Sequence, residues 1–190
     1  MILVLVSFSS YASLDPVVKV KSTDAKAFAL YMSQWTGQVR ISIKDINGYV
    51  LQNKSFEELN GYAEKYNIKA LPNGVYFLEV EDEDMIKVLP ITVHGEEVTV
   101  GVEENIYKPQ VTQLAGYVNV TRVAKNQGPL TVTISDQTGE LVFKETFSGD
   151  RNLKQRYDLT SLRPGRYSFS FQTQDRVFNE EVDIKNNPMF

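Results

Sequence analysis

Two stretches of this sequence align on one another without a gap at a constant offset of 91 residues, and that self-similarity constrains the fold more than anything else in the chain. Val39 to Gly48 reads VRISIKDING, and Leu130 to Gly139 reads LTVTISDQTG. Each alternates apolar and polar side chains and then runs into Asp-x-x-Gly, the pattern of a half-buried strand entering a tight turn. Further along, Phe56 falls over Phe147, Tyr66 over Tyr157 and Leu71 over Leu162, while Gly74 and Tyr76 fall over Gly165 and Tyr167. The shared positions are turn residues and aromatics, which a fold restricts most. The chain therefore reads as one small module present twice.

Each shared position has a physical reason. In Asp45-Ile-Asn-Gly48 the carboxylate can accept backbone N–H groups of the turn, and Gly48 supplies a positive φ. Asp136 and Gly139 repeat the arrangement. After Pro72-Asn73-Gly74, the residues Tyr76, Leu78 and Val80 alternate along a strand, and after Gly165 the residues Tyr167, Phe169 and Phe171 do the same. Strand candidates at 17–21 and 26–32 precede the first copy, and those at 110–114 and 116–123 precede the second. Strands at 86–93 and 177–184 close the copies. No segment reads as a helix, since Asn60-Gly61 interrupts the stretch between Lys54 and Tyr66. Six or seven short strands per copy, with turn signals every 8–12 residues or so, define an all-β fold of two tandem antiparallel β-sandwiches.

At 190 residues the chain suits two modules of this size. The expected division is an apolar leader at 1–13, a first sandwich at 14–94, an acidic linker or first strand at 95–106, and a second sandwich at 107–190. Between Gly95 and Ile106 every charge is a glutamate (Glu96, Glu97, Glu103, Glu104), whereas six of the seven arginines follow Tyr107. A net charge of −4 provides no basic face for a nucleic acid. The start, MILVLVSF before Ser10-Tyr11-Ala12, is expected to be the end of an export signal with a small-x-small cleavage site, and it is too short to span a bilayer.

The residues resemble a known pattern. V-x-I-x-I-x-D-x-x-G followed by L-x-x-G-x-Y is similar to the immunoglobulin-like domains of exported Bacteroidota proteins, among them the C-terminal sorting domain of the type IX secretion system. In the first copy the resemblance runs through Val39, Ile41, Asp45, Gly48, Leu71, Gly74, Tyr76 and Val80. In the second it runs through Leu130, Val132, Asp136, Gly139, Leu162, Gly165 and Tyr167. Fibronectin type III domains share the same corner, in which the tyrosine hydroxyl bonds a backbone group upstream. A sorting module is ordinarily a single terminal domain, and here two stand in tandem. The resemblance implies an immunoglobulin-like or fibronectin type III-like fold and export to the periplasm or cell surface.

Catalytic parts are scarce. The single histidine, His94, has no second histidine and no cysteine to work with. There is no G-x-S-x-G elbow, H-E-x-x-H or phosphate-binding glycine loop, so hydrolytic, redox and phosphoryl-transfer chemistry lack their groups. No enzyme, cofactor or metal is expected. Glu79 and the run Glu81-Asp82-Glu83-Asp84 form an acidic hairpin tip, read as a solvated turn and a candidate interaction surface. Whether this tip or the linker glutamates take Ca²⁺ stays open. Trp35, with Tyr31, Tyr49 and Tyr62, is the other candidate surface, as a sugar-stacking platform. Asp45, Gly48, Gly74, Tyr76, Asp136, Gly139, Gly165 and Tyr167 are assigned to turns and corners. The expected function is a non-catalytic exported module that engages a protein or envelope component. The alternative is a carbohydrate-binding accessory module, for which a buried Trp35 would remove the platform.

Overall fold

The computed structural model of the chain describes residues 16–23, 25–35, 37–57, 59, 61–123, 128–148 and 152–185. The apolar leader lies outside the described residues. Every regular element among them is a strand: β1 (Val17–Ser22), β2 (Ala27–Ser33), β3 (Val39–Lys44), β4 (Val50–Phe56), β5 (Tyr62–Asn67), β6 (Gly74–Glu81), β7 (Met85–His94) and β8 (Glu97–Val100), then β9 (Glu104–Tyr107), β10 (Gln110–Leu114), β11 (Tyr117–Val123), β12 (Leu130–Asp136), β13 (Leu141–Phe147), β14 (Asn152–Asp158), β15 (Gly165–Gln172) and β16 (Val177–Ile184).

The chain divides into two compact units. The first takes residues up to Val80 and Leu89–Glu103, and the second takes Glu81–Val88 and everything from Glu104. In the first, one sheet is ordered β1-β2-β5 and the other β4-β3-β6-β7-β8. Alternation in β2 and β3 turns Phe28, Leu30, Met32, Val39, Ile41 and Ile43 into a single core cluster with Leu78, Val80 and Ile91. The second unit repeats the plan, with β10-β11-β14 facing β13-β12-β15-β16. Its core gathers Val118, Val120, Val132, Ile134, Phe169 and Phe171. Each such side chain stabilises the fold by about 1.5–3 kcal/mol on burial. The fold is two tandem immunoglobulin-like, fibronectin type III-like antiparallel sandwiches.

The repeat extends to register. β3 pairs with β4 from Val39↔Phe56, with an irregularity between Ile43 and Lys44. β12 pairs with β13 from Leu130↔Phe147, with the same irregularity between Ile134 and Ser135. Three further strands, β5, β8 and β9, form in segments whose alternation is weak. β5 hides its alternation because the middle residue of its inward row is Glu64, set between Tyr62 and Tyr66. The acidic 95–106 segment holds both β8, which pairs back on β7, and β9, which pairs with Met85–Val88. Of the tip residues, Glu81 to Asp84 therefore sit within the second unit, where the Lys108 N–H donates to the Asp84 carbonyl at 2.8 Å.

Candidate functional site

The shared turns are built by their aspartates. Asp45 Oδ1 accepts the N–H groups of Asn47 and Tyr49, both at 2.9 Å. Asp136 Oδ1 accepts from the Thr138 and Glu140 N–H groups and from the Thr138 hydroxyl, at 2.8, 3.0 and 2.6 Å. That hydroxyl, and then the Thr138 N–H, hold the Asp136 carboxyl below its ordinary value. Gly48 and Gly139 close the turns at φ of +85° and +83°, conformations that most side chains resist. The tyrosines that follow Gly74 and Gly165 reach back four residues: Tyr76 donates to the Pro72 carbonyl at 2.9 Å and Tyr167 to the Arg163 carbonyl at 2.8 Å. These groups hold the ends of strands, and their hydrogen-bonding capacity is turned inward.

The acidic tip separates into residues with different surroundings. Glu79 belongs to the core of its sheet, 4% exposed, and its carboxylate accepts from the Lys44 ammonium at 2.6 Å. At the corresponding places of the second copy stand Ser135 and Ser170, so both members of the ion pair are absent together. Glu81 pairs with Lys108 at 2.8 Å. Asp82 Oδ1 accepts from the Asp84 and Met85 N–H groups at 2.9 and 2.8 Å, and Gln110 reaches Asp84 at 3.0 Å. Only Glu83 and Asp84 are exposed. No group of three His, Cys, Asp or Glu side chains able to hold a metal ion occurs among the described residues.

Trp35 is 1% exposed, inside the first core, and its Nε1–H donates to the Val17 carbonyl at 3.4 Å. The indole is a core filler with its one polar atom satisfied, so it offers no face for a sugar. Tyr31 and Tyr49 are exposed, but Tyr62 is engaged with Glu64 and Tyr66. His94 is exposed at the end of β7, opposite Glu97 across a two-residue turn.

What the structure adds is a pair of apolar sheet edges. β4 ends one sheet of the first unit and β13 ends the matching sheet of the second, each hydrogen-bonded to one neighbour in the strand order. Their burial runs residue for residue alike, with the first four side chains of each exposed. On β4 and its turn the exposed residues are Ile46, Tyr49, Val50 and Leu51, and on β13 they are Leu141, Val142 and Phe143. Such an edge presents free backbone donors and acceptors beside apolar side chains, the arrangement that receives an added strand. The sequence signal is the pair of consecutive apolar residues after each Asp-x-x-Gly turn, which a one-sided hairpin does not need.

The model of a family described as the secretion system C-terminal sorting domain matches the chain twice, at residues 25–93 and 109–185. No curated protein sequence matches it. Among solved structures, a two-domain fibronectin type III segment of chicken tenascin aligns at 8% identity and a TM-score of 0.35, covering 88% of this chain and 98% of that one. The ligand-binding domain of human OSCAR aligns at 11% identity and a TM-score of 0.28, covering 89% and 97%. A biofilm associated protein, in its BSP domain, aligns at 11% identity and a TM-score of 0.33, covering 88% of this chain and 29% of that one.

Proposed function

The chain belongs to the secretion system C-terminal sorting domain family, whose members are secreted or cell-surface proteins, and on that premise we propose that it is a non-catalytic module that engages another protein by strand addition at β4 and β13. One observation carries this reading: both copies leave the same edge strand uncovered, with the same burial and with apolar side chains at its start. Native sheets ordinarily blunt such an edge with lysine, proline or a covering loop. Here the apolar start of the edge is kept twice in one chain, and two edges on one chain raise avidity for a partner that offers two strands. No helix among the described residues is long and apolar enough to cross a membrane. Delivery of the chain to the periplasm or the outer surface, with an envelope protein as its partner, completes the proposal.

The test compares the chain with a variant carrying Val50→Lys and Leu141→Lys, both at exposed edge positions that leave the cores intact. Immobilised wild-type chain should retain a defined protein from envelope extract, and the double variant should retain at least about tenfold less. Equal retention by both would remove the edges from the account. Retention of glycans and of no protein would favour the accessory-module alternative.

A further inference from the structure

The outward side of the sheet β10-β11-β14 holds a row of polar side chains that the fold itself does not use. Thr112 of β10 stands opposite Asn119 of β11, and Asn119 stands opposite Arg156 of β14. Their chain neighbours Val118, Val120 and Tyr157 belong to the core, which places the row on the solvent side. Thr112 and Arg156 are exposed and Asn119 is half-buried, and none of the three side chains makes a hydrogen bond or ion pair among the described residues. Arg156 is nonetheless held in place, because its guanidinium lies over the Tyr117 ring at 4.0 Å. A guanidinium stacked in this way keeps its N–H edge free and gives up little further freedom when a ligand arrives. Lys154, two residues earlier on the same side of β14, adds a second positive charge. The nearby acids are engaged: Asp158 accepts from the Thr160 hydroxyl and N–H at 2.6 and 3.0 Å, and Asp84 accepts from the Gln110 amide at 3.0 Å. These residues lie on strands other than β4 and β13 and do not depend on the reading given for those edges.

The chemistry of the row narrows what it recognises. The fork of Arg156 matches a carboxylate, which accepts two parallel N–H bonds from it. A carboxylate alone leaves the Asn119 amide and the Thr112 hydroxyl unserved. Both of these donate and accept, as hydroxyl groups do. Asn119 stands one strand spacing, about 4.8 Å, from Arg156, so the ligand carries its carboxylate and its hydroxyls close together. A uronic acid does so, with the carboxylate attached to a ring that bears hydroxyls. Other anionic partners fit less well. A nucleic acid needs more cations than Arg156 and Lys154 supply. An anionic membrane is entered by apolar side chains, and the row presents none. A peptide strand adds to a sheet edge and does not lie across a face. We propose that this face, through Arg156, Asn119 and Thr112, binds a uronic acid residue of an acidic polysaccharide.

The arrangement occurs once per chain. Laying the pair Val118↔Tyr157 on the pair Phe28↔Tyr66 puts Ala29 in the place of Asn119, Ala27 in that of Tyr117 and Lys65 in that of Arg156. The first copy thus keeps a cation there but neither the amide nor the ring. Titration of the ¹⁵N-labelled full chain with the methyl glycosides of glucuronic, galacturonic and mannuronic acid, beside those of glucose, galactose and mannose, tests the assignment. At least one uronide should shift the Asn119 side-chain amide and the Arg156 Nε–H saturably, with a dissociation constant on the order of 1 mM. It should bind at least about tenfold more tightly than its neutral counterpart. Arg156→Gln should abolish that preference, and Asn119→Ala should weaken uronide binding by about fivefold. Tyr117→Leu keeps every charge and should weaken it by about threefold, because the guanidinium is no longer held. All three variants should keep the backbone spectrum of the core strands. The proposal fails if no uronide gives a saturable shift at these groups, if acetate binds as tightly as the best uronide, or if Arg156→Gln leaves the preference intact. Shifts of the same groups by phosphatidylglycerol vesicles or by an acidic peptide, with none from the uronides, would overturn it as well.

Discussion

Equivalent tyrosines in the two copies have different fates. Tyr62 spends its one proton on the Glu64 carboxylate, so Tyr66 must donate to Tyr62 across 2.9 Å, and burial raises the pKa of both phenols. In the second copy Leu153 replaces Tyr62 and Gln155 replaces Glu64, and the Tyr157 hydroxyl is buried without a partner. Burial, with the Glu145 charge behind it, pushes the Tyr157 hydroxyl up to about 12. Tyr66→Phe should therefore cost on the order of 1 kcal/mol in urea unfolding, whereas Tyr157→Phe should be neutral or stabilising. A carboxylate contrast accompanies it. Asp158 accepts from the Thr160 hydroxyl and N–H, which hold its carboxyl below the ordinary value of 3.8, while Asn67 stands in its place in the first copy. A depressed carboxyl stabilises the fold above its unfolded pKa, and that contribution is lost as pH falls through the lower folded value. Between about pH 5 and about pH 2, Asp158→Asn should flatten the decline in stability of the second unit, and an unchanged slope would contradict the assignment.

Turns and strands show which elements the sequence made legible. β3, β6, β12 and β15 stand out because Ile41, Leu78, Val132 and Phe169 alternate with polar neighbours and end in Asp-x-x-Gly or begin after Leu-x-x-Gly. β5 does not, since a half-buried polar chain through Lys54, Glu64 and Tyr62 fills part of its inward row. The uncovered edges were hidden for another reason: Val50, Leu51, Leu141 and Val142 are apolar, and apolarity predicts burial, not exposure. Trp35 is the opposite case, an aromatic beside a turn that packs inward. Tertiary pairing also decides the β10–β11 hairpin, where Ala115 and Gly116 take φ of +50° and +80°. A methyl group at Gly116 would lie 2.9 Å from Thr160 Cγ2, while one at Gly139 meets nothing within 4 Å. Gly116→Ala should thus destabilise the second unit by about 1–3 kcal/mol, and more than Gly139→Ala, when thermal unfolding of the two variants is compared.

At the scale of the molecule, sequence periodicity located two modules but not the exchange of strands between linear segments. The second unit recruits Glu81–Val88 from inside the first copy, pairs Met85–Val88 with β9, and anchors Lys108 on Glu81 and on the Asp82 carbonyl at 2.6 Å. A fragment from Glu104 to Phe190 should therefore keep protection in β12 and β15 but expose the amides of β9 to solvent exchange, whereas the full chain protects them. Equal protection in both would show that β9 does not need its partner.

If the chain works through its two uncovered edges, hydrogen exchange on the full chain with and without the protein it retains will read that out most directly. Slower exchange is expected along β4 and β13 together when that protein is bound, with little change in the core strands β6 and β15. Protection elsewhere, with the amides of β4 and β13 exchanging as fast as in the free chain, would contradict it.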